Sequence, residues 1–362
     1  MKKNNLEICH FITTIARGGA ENQLLILVRN QVNSGKKVKV VPLKGQLELL
    51  EELVEIGVEV DKTFVNKLFV IQVLKMWLGR RNKFDVYHAH LPQAELLLAF
   101  SPIKDYVITR HFGGQFYPEA SEMLSRFLSR ISSSRASKII AISEAVKNTL
   151  IELKEIKVIG KIKVIPYGFN ASRYTQNVKS KRQDASSILT IGTLARLSSE
   201  KDLSTLIKGF QILRMKITTG RYEVKIFGEG NRREEIQSLI DDLELGEYVH
   251  LMGRTMHPAE EISRFDVFVL TSKFEGFGLV LLEAMAFNKP IITSRIPAAL
   301  EILGEDGAGI FFEPGNEKEL ANRIENLDSL LDENFIQKQK NRLMLFDDIK
   351  MEEMVYSAYC RN

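Results

Sequence analysis

The chain has 362 residues, more than a single hydrophobic core usually supports, so its length predicts two domains. Apolar residues make up 44% of it and charged residues 27%, and 50 Lys and Arg stand against 46 Asp and Glu, which excludes a disordered chain and does not indicate nucleic-acid binding. The two cysteines form no CxxC pair and runs of about 18 apolar residues do not occur, so we expect a cytoplasmic chain without a zinc site, a disulfide framework or a membrane span.

The first half of the chain alternates between strand and helix patterns. A short apolar run at 6–12 precedes a turn with Gly18 and Gly19, helical periodicity follows over 20–33, and a second apolar run covers 37–43. Further strand-like runs lie at 85–88, 106–109, 138–142 and 161–165. This order of elements predicts βαβ units and a parallel sheet covered by helices.

The second half repeats the alternation after a polar stretch. Residues 177–187 carry few apolar side chains, which is typical of a linker between domains. Beyond it, strand patterns cover 188–193, 222–227, 249–252, 267–271 and 290–293, and helix patterns cover 202–215, 232–243 and 279–287. The predicted fold class is α/β, with two doubly wound Rossmann-like domains facing across a cleft, the first at 1–170 and the second at 186–346.

Familiar nucleotide-binding motifs are incomplete or missing in the sequence. Gly228-Glu-Gly230 and Gly276-Phe-Gly278 both lack the third glycine of GxGxxG, which argues against a dehydrogenase. P-loop, zincin and serine-hydrolase motifs do not occur, and no Asp-x-Asp is present to clamp a diphosphate through a metal. We therefore expect no metal or other cofactor, and a bound diphosphate would be held by fixed cations and backbone amides.

Two cations follow the first strand of the second domain. Arg196 and Lys201 would lie at the carboxyl edge of the parallel sheet, where doubly wound folds bind ligands. The fork of an arginine and the mobile charge of a lysine together suit two phosphates. The alternative is an ordinary solvated loop, which would be the better interpretation if the pair stood alone.

A glutamate pair in a glycine-rich segment gives the strongest indication of a site. Glu275 lies in the loop after a buried strand and Glu283 lies in the next helix, so the two carboxylates can bind different parts of one elongated ligand. Between them Gly276 and Gly278 allow close backbone approach, and free amides at the helix start attract a diphosphate. The alternative is a capping carboxylate followed by an ordinary exposed helical glutamate.

These segments resemble the signature of the family 4 retaining glycosyltransferases, the group 1 transferases of the GT-B fold. Besides Arg196-Leu-Ser-Ser-Glu-Lys201 and the Glu275 to Glu283 segment, the resemblance rests on Ala16-Arg-Gly18-Gly19-Ala-Glu21, Ala141-Ile-Ser-Glu-Ala-Val-Lys147 and Lys163-Val-Ile-Pro-Tyr-Gly168. It covers nearly the whole chain. It implies a metal-independent hexosyltransferase that moves a sugar from a nucleoside-diphosphate sugar with retention of configuration, and a C-terminal helix at 347–362 that packs on the first domain.

The resemblance also implies roles for the residues of the second domain. Arg196 and Lys201 would bind the donor diphosphate and stabilise it as it leaves. Glu283 would hold the ribose, and Glu275 would contact the transferred sugar. The remaining donor-binding residues of this domain are Arg254, Gly276, Phe277, Gly278 and Leu279.

In the first domain the resemblance points to a glycine loop and a histidine. The loop with Gly18 and Gly19 would close over the donor phosphates, and His111 would lie near the anomeric carbon. Taken alone, a single histidine beside glycines is more often structural. His88 and His90 are expected to line or pack the site rather than take part in catalysis.

The sequence leaves the substrates and two other functions open. The resemblance implies a UDP-, GDP- or ADP-sugar as donor and a glycan or a lipid-linked glycan of surface polysaccharide synthesis as acceptor, and no nucleic acid is expected. One alternative is a GT-B-like sugar-nucleotide epimerase. The other is a non-catalytic subunit that binds nucleotide-sugar, which would not need the full set of two cations and two glutamates.

Two segments, 67–83 and 125–138, mix apolar and basic residues. Each fits a basic amphipathic helix on a membrane, which would place the protein peripherally at the inner face of the cell membrane. We favour instead two helices that pack their apolar stripes on the sheet.

Overall fold

The computed structural model describes residues 6–79, 84–117, 120–176, 178, 188–216, 221–331 and 333–360. The chain divides into two compact units, of which the first comprises Met1–Phe169 and Phe346–Asn362 and the second Asn170–Leu345. The polar stretch that we predicted as a linker lies outside the described residues, except for Val178. The second unit begins at Asn170, ahead of that stretch.

The first unit is built on a parallel sheet. Its described strands are β1 (Glu7–Ile12), β2 (Lys37–Pro42), β3 (Glu59–Val60), β4 (Val86–His90), β5 (Val107–Arg110), β6 (Lys138–Ala141) and β7 (Ile162–Val164). The helices between them are α1 (Gly19–Asn33), α2 (Leu50–Glu55), α3 (Phe69–Leu78), α4 (Pro92–Ala99), α5 (Glu122–Arg135) and α6 (Glu144–Glu152). The strands pair in the order β3-β2-β1-β4-β5-β6-β7.

This strand order explains how the sheet is covered. The order runs outward in both directions from the neighbours β1 and β4, so right-handed connections place helices on both faces. A parallel strand that is covered on both faces is apolar along most of its length, as the fully buried Ile8 and Ile12 of β1 show. Leu24 and Val28 of α1 pack against Ile12 and form the core on that side.

The second unit repeats the arrangement. Its strands are β8 (Ile188–Leu194), β9 (Arg221–Phe227), β10 (Val249–Gly253), β11 (Val267–Leu270), β12 (Ile291–Ser294) and β13 (Ile310–Phe312), in the parallel order β10-β9-β8-β11-β12-β13. Its helices are α7 (Ala171–Thr175), α8 (Leu203–Lys216), α9 (Arg233–Asp242), α10 (Pro258–Arg264), α11 (Leu279–Ala286), α12 (Pro297–Leu303), α13 (Glu317–Glu325), α14 (Leu327–Leu330) and α15 (Phe335–Leu343). Ile191, Phe210 and Val269 lie in its core. The predicted α/β class with two Rossmann-like domains is confirmed.

The last helix, α16 (Asp348–Tyr359), belongs to the first unit. Its Met351 packs in one cluster with Leu27 of α1 and Ile140 of β6. Gly168 makes this approach possible, because a Cβ atom at that position would lie 2.6 Å from the Cα atom of Asp348. The helix therefore covers the same face of the sheet as α1.

We predicted that the helices in segments 67–83 and 125–138 pack their apolar stripes on the sheet. The structure of α3 and α5 shows that this prediction is wrong for both. Within the described residues of α3 only Gln72 is buried, and the buried side chains of α5 are Ser125, Ser129, Ser132 and Ser133. The physical reason in α3 is that the Gln72 amide donates to the carbonyls of Leu43 and Phe64 at 3.0 and 2.8 Å. Apolar side chains of both helices, among them Leu78 and Met123, face solvent.

Residues 80–83, the end of the first mixed segment, lie outside the described residues. None of the helices in the described ranges has both the length and the apolar character that crossing a membrane requires.

Candidate functional site

The predicted residues of the second unit gather where its strand order reverses. Strands β8 and β11 are neighbours, while their successors β9 and β12 lie on opposite sides of them. Arg196 and Lys201 follow β8, and Glu275 follows β11. Because the carboxyl ends of parallel strands at such a reversal form a crevice, this is where a ligand binds in a doubly wound sheet.

Lys201 and Glu275 form an ion pair. The Nζ atom of Lys201 lies 2.6 Å from Oε1 of Glu275, and both side chains are largely buried. The Ser272 hydroxyl donates to the same carboxylate oxygen at 2.7 Å, and the Thr271 hydroxyl donates to the carbonyl of Lys201 at 2.9 Å. The loops after β8 and β11 are thus joined by side chains, and the lysine charge already has an anionic partner.

Arg196 is exposed at the same edge, in a loop that two glycines hold in place. The backbone amide of Leu197 donates to the carbonyl of Glu229 at 3.0 Å. A Cβ atom at Gly228 would overlap the carbonyl of Ala195, and one at Gly230 would overlap the carbonyl of Leu197. These two glycines, which are part of an incomplete GxGxxG motif, position the arginine loop through close backbone contact.

Arg254 is the predicted donor-binding residue that the sheet order separates from the others. It follows β10, which lies two strands from β8 at the same edge of the sheet. Its side chain is exposed. Its role in donor binding therefore stays a prediction.

The glycine segment between the two glutamates forms the start of α11. Gly278 precedes Leu279, the first residue of the helix, with φ at 97°, a left-handed conformation that favours glycine. Phe277 is buried and holds the turn in the core, whereas Gly276 and Leu279 are partly exposed. The first amides of the helix thus face the edge where Lys201 lies, as the sequence predicted for a phosphate.

Glu283 lies inside α11 and has a partner that the sequence did not suggest. Burial raises the pKa of its carboxyl group to about 7, and a hydrogen bond from the Tyr174 hydroxyl opposes that rise. Tyr174 lies in α7, and its ring also contacts Phe287. The carboxylate therefore titrates near neutral pH, and only its charged form is a pure hydrogen-bond acceptor for hydroxyl groups.

In the first unit, Gly18 and Gly19 lie where α1 begins after β1. Gly18 precedes the helix with an extended backbone, and its carbonyl accepts from the amide of Asn22 at 2.9 Å. A Cβ atom at Gly18 would overlap the flexible carboxylate of Glu21. Closure of this loop over phosphates stays a prediction.

His111 follows β5 and ends a buried chain of hydrogen-bonded side chains. Its Nε2 atom lies 3.0 Å from Nδ1 of His90, whose Nε2 atom lies 3.0 Å from Nδ1 of His10. His10 Nε2 lies 2.9 Å from Oε1 of Gln31, and His111 Nδ1 lies 2.6 Å from the hydroxyl of Tyr167. Strand register explains the alignment, because β1 pairs with β4 and β4 with β5, which bring these rings to one face.

This series of hydrogen bonds determines which nitrogen of each ring carries the proton. The Gln31 amide donates to the Tyr359 hydroxyl at 3.3 Å, so its oxygen is left to accept from His10 Nε2. Burial lowers the pKa of His10 to about 4 and of His111 to about 3, so both rings are neutral. Each ring then donates from Nε2 and accepts at Nδ1, which makes Tyr167 the donor to His111.

His88 joins the same network and shows the role of the other predicted lining residue. Its Nδ1 atom lies 2.8 Å from the Tyr359 hydroxyl and its Nε2 atom 2.7 Å from that of Thr109. Burial lowers its pKa and that of His90 well below the usual range. Both histidines pack beneath the sheet edge, and the polar network they form was not predictable from their spacing alone.

One group among the described residues has ligand types and spacing that suit a metal ion. The candidate ligand atoms of His10, His88 and His90 lie within 4.8 Å of one another, and neutral imidazoles suit zinc or copper. Hydrogen bonds to Gln31 and Tyr359 already engage two of these rings. A bound metal would have to displace such bonds.

A buried ion cluster that sequence analysis missed holds the end of β5. Arg110, directly before His111, places its Nε atom 3.0 Å from Glu95 and its Nη1 atom 3.2 Å from Glu155. Burial raises the pKa of Glu95 to about 7, and the Arg110 charge opposes that rise. The one sequence signal was a charged residue at the end of an apolar strand, which requires a partner when it is buried.

Comparisons with known proteins agree on both units. Residues 17–173 match the family model described as Glycosyltransferase Family 4, and residues 176–342 match the model described as Glycosyl transferases group 1. HepE of Anabaena, solved in complex with UDP and glucose, has a similar fold with a TM-score of 0.80 and 20% sequence identity, covering 97% of this chain and 98% of HepE. At that identity the likeness concerns the fold alone.

Two curated relatives share shorter stretches. The N-acetylgalactosamine-N,N'-diacetylbacillosaminyl-diphospho-undecaprenol 4-alpha-N-acetylgalactosaminyltransferase of Campylobacter jejuni is 30% identical over 167 residues, 45% of this chain and 44% of that protein. The O-antigen chain mannosyltransferase RfbU of Salmonella typhimurium is 28% identical over 245 residues, 66% of this chain and 65% of RfbU. The chain thus spans less than two thirds of either relative.

Proposed function

Because this chain belongs to the group 1 glycosyltransferases of family 4, we propose that it moves a sugar from a nucleoside-diphosphate sugar to a glycan or a lipid-linked acceptor in surface polysaccharide synthesis. The observation that carries the proposal is the meeting of Arg196, Lys201 and Glu275 at the reversal of strand order in the second unit. The named relatives, which act on a diphospho-undecaprenol-linked substrate and on an O-antigen chain, support the choice of acceptor class.

The proposed chemistry begins with an exchange of ion pairs. The donor diphosphate takes the place of Glu275 beside Lys201, and Arg196 supplies a second, exposed charge. When the bond between the sugar and the diphosphate breaks, the two cations and the first amides of α11 stabilise the negative charge that develops on the leaving group. Glu275, freed from the lysine, can accept hydrogen bonds from hydroxyls of the transferred sugar.

Glu283 would accept hydrogen bonds from the ribose in its charged form. In this proposal the reaction proceeds with retention of configuration. It needs no metal, since the fixed cations can supply the charge that a metal would otherwise provide. The donor base, whether of a UDP-, GDP- or ADP-sugar, is left to experiment.

His111 acts in the proposal as a neutral, fixed group rather than as a proton acceptor. Both of its ring nitrogens are hydrogen-bonded, and burial lowers its pKa to about 3. A general base needs a free lone pair and a pKa near the working pH. The neutral ring instead positions the backbone that follows β5.

The protein would work in the cytoplasm or peripherally at the inner face of the cell membrane. The outward apolar side chains of α3 and α5 support membrane contact, because exposed apolar patches on helices commonly mark such surfaces. Nucleic acid is not a proposed partner.

The test is a thermal-shift panel of UDP-, GDP- and ADP-glucose on the wild type and on Arg196→Ala, with Lys208→Ala as a matched control that removes an exposed cation elsewhere in the second unit. A donor at 100 times its Kd should add about 2.7 kcal/mol to the folded state. The control should show the same donor-induced thermal shift as the wild type. Arg196→Ala should show a smaller shift. Failure of every donor to stabilise the wild type would refute the proposal.

Incubation with the stabilising donor then separates the alternatives. A transferase needs an acceptor for turnover beyond slow hydrolysis, whereas an epimerase consumes donor alone. A subunit that only binds donor would show stabilisation without turnover under either condition.

A further inference from the structure

Helix α3 presents apolar side chains to solvent and a polar one to the core. Leu68 directly before it and Leu78 at its end are 74% and 86% exposed, and Trp77 is half exposed. Its buried residue, Gln72, is held by the carbonyls of Leu43 and Phe64. The outward orientation is therefore built into the fold by hydrogen bonds.

A groove of about 650 Å³ opens beside this helix, within the range of small-molecule sites. Its walls come from the start of α3, from α4 and from α5, which contributes Leu128. Leu68 and Phe69 form one rim, so the groove is continuous with the exposed apolar face. On α5, Met123 and Phe127 are also exposed, at 80% and 60%.

Two lysines stand in the groove. Lys44 follows β2 and Lys67 precedes α3, and both are exposed. Within the described ranges neither ammonium group forms an ion pair with a carboxylate, as is common for exposed lysines. Lys44 also lies at the carboxyl edge of the sheet, the edge at which the Gly18 loop and His111 lie. The groove therefore runs from an apolar surface to the edge that carries the predicted acceptor-side residues.

This combination favours a lipid over a protein partner. Protein interfaces are depleted of lysine, whereas lysine charges beside exposed apolar side chains such as Leu68 are typical of surfaces that contact anionic lipids. An apolar face alone would fit any lipid tail. Lys44 and Lys67 line the groove itself, so an anionic group on a lipid that enters would lie beside two ammonium charges.

We propose that this groove binds the phosphate-bearing end of a long-chain lipid that carries the acceptor glycan, with the phosphate at Lys44 and Lys67 and the chain along α3 and α5. This assignment rests on the proposed function and narrows its acceptor to the lipid-linked class. The apolar side chains of the two helices would lie in the membrane surface from which the lipid emerges.

The experiment uses Trp77, the single tryptophan of the chain, as the reporter. Farnesyl phosphate serves as the probe, with farnesol and inorganic phosphate as its two halves. Binding is measured by the shift of Trp77 emission and, independently, by titration calorimetry. The wild type should bind farnesyl phosphate with an emission shift to shorter wavelength, bind farnesol roughly tenfold or more weakly, and give no shift with inorganic phosphate.

Two pairs of variants locate the site. Lys44→Gln with Lys67→Gln should reduce farnesyl phosphate affinity to that of farnesol, whereas Lys104→Gln with Lys157→Gln, two exposed lysines elsewhere in the first unit, should leave it unchanged. Leu74→Ser should weaken both farnesyl compounds, and Ile349→Ser, a similarly exposed apolar residue on α16, should weaken neither.

Three results would overturn the assignment. Equal affinity for farnesol and farnesyl phosphate would mean that the two lysines do not bind the phosphate group. Calorimetric binding without a Trp77 shift would place the lipid elsewhere, and a lipid-free shift that grows with protein concentration would show that a second copy covers the face. Because donor stabilisation is measured separately, any of these can occur while the proposed transferase function stands.

Discussion

Lys201 and Glu275 pair with each other at 2.6 Å, although the resemblance assigned them to different parts of the donor. Because of this contact, Glu275 competes with the donor diphosphate for Lys201, and Lys201 competes with the sugar hydroxyls for Glu275. Lys201→Ala should weaken nucleoside diphosphate and nucleotide-sugar alike, by roughly 1.5 to 3 kcal/mol for a lost charged hydrogen bond. Glu275→Ala should leave nucleoside diphosphate affinity equal or increase it, because the lysine is released, while transfer falls.

Titration calorimetry with both ligands checks this pair. A loss of nucleoside diphosphate affinity in Glu275→Ala as large as in Lys201→Ala would show that the glutamate positions the phosphate site instead of binding sugar. Ser272→Ala, which removes only the second hydrogen bond to Glu275, is the milder control.

Glu283 should make stability depend on pH. Its pKa is raised to about 7 in the folded protein, so the folded state favours the protonated carboxyl. The protonated carboxyl group therefore contributes to the stability of the folded protein. This contribution is fully present below the pKa of the group in the unfolded chain, near 4.5, and is lost as pH rises through about 7. Glu283→Gln, which cannot ionise, should therefore be more stable than the wild type at pH 8, by no more than about 3 kcal/mol, and the difference should vanish below pH 4.5.

Urea unfolding at a series of pH values measures this difference. Tyr174→Phe should enlarge it, since the tyrosine hydroxyl stabilises the charged carboxylate. A pH-independent difference between wild type and Glu283→Gln would show that the carboxyl group is not titrating in this range.

Much of the fold was predictable from the sequence, and the failures share a cause. The apolar runs of β1 and β8 and the glycine start of α11 are local patterns, so they predicted strands, a helix start and the loops that carry Arg196 and Glu275. Helix α3 was misjudged because its buried face is set by the hydrogen bonds of Gln72 to distant carbonyls. Spacing within a helix shows that one face differs from the other, but not which face has partners.

The histidine network could not be predicted from the sequence for a similar reason. His10 and His90 are separated by 80 residues, and their contact depends on the pairing of β1 with β4. We predict that none of the four ring pKa values of His10, His88, His90 and His111 falls between pH 5 and 8. Nitrogen chemical shifts of the imidazoles should show Nε2-protonated neutral rings throughout, and a titration of His111 near pH 6.5 would contradict its place in the network.

The docking of α16 should depend on Gly168. A methyl group there would lie 2.6 Å from the Asp348 Cα atom, and backbone cannot yield as a flexible side chain does. Gly168→Ala should therefore destabilise the first unit by roughly 1 to 3 kcal/mol, the usual cost of overpacking. Gly160→Ala, at a position with no atom within 4 Å of the added Cβ, is the matched control, and equal stability of the two variants would refute the tight contact.

The last prediction concerns Gly230, which holds the Arg196 loop without touching any predicted ligand group. Its added Cβ would overlap the carbonyl of Leu197, the residue after Arg196, so Gly230→Ala must shift that loop. Because the arginine acts on the diphosphate only from a fixed position, the variant should weaken nucleoside diphosphate by roughly tenfold. Gly246→Ala, in open space in the same unit, should not. If calorimetry gives both variants wild-type affinity while Arg196→Ala loses it, the loop adapts, and the glycine serves only the packing of the sheet edge.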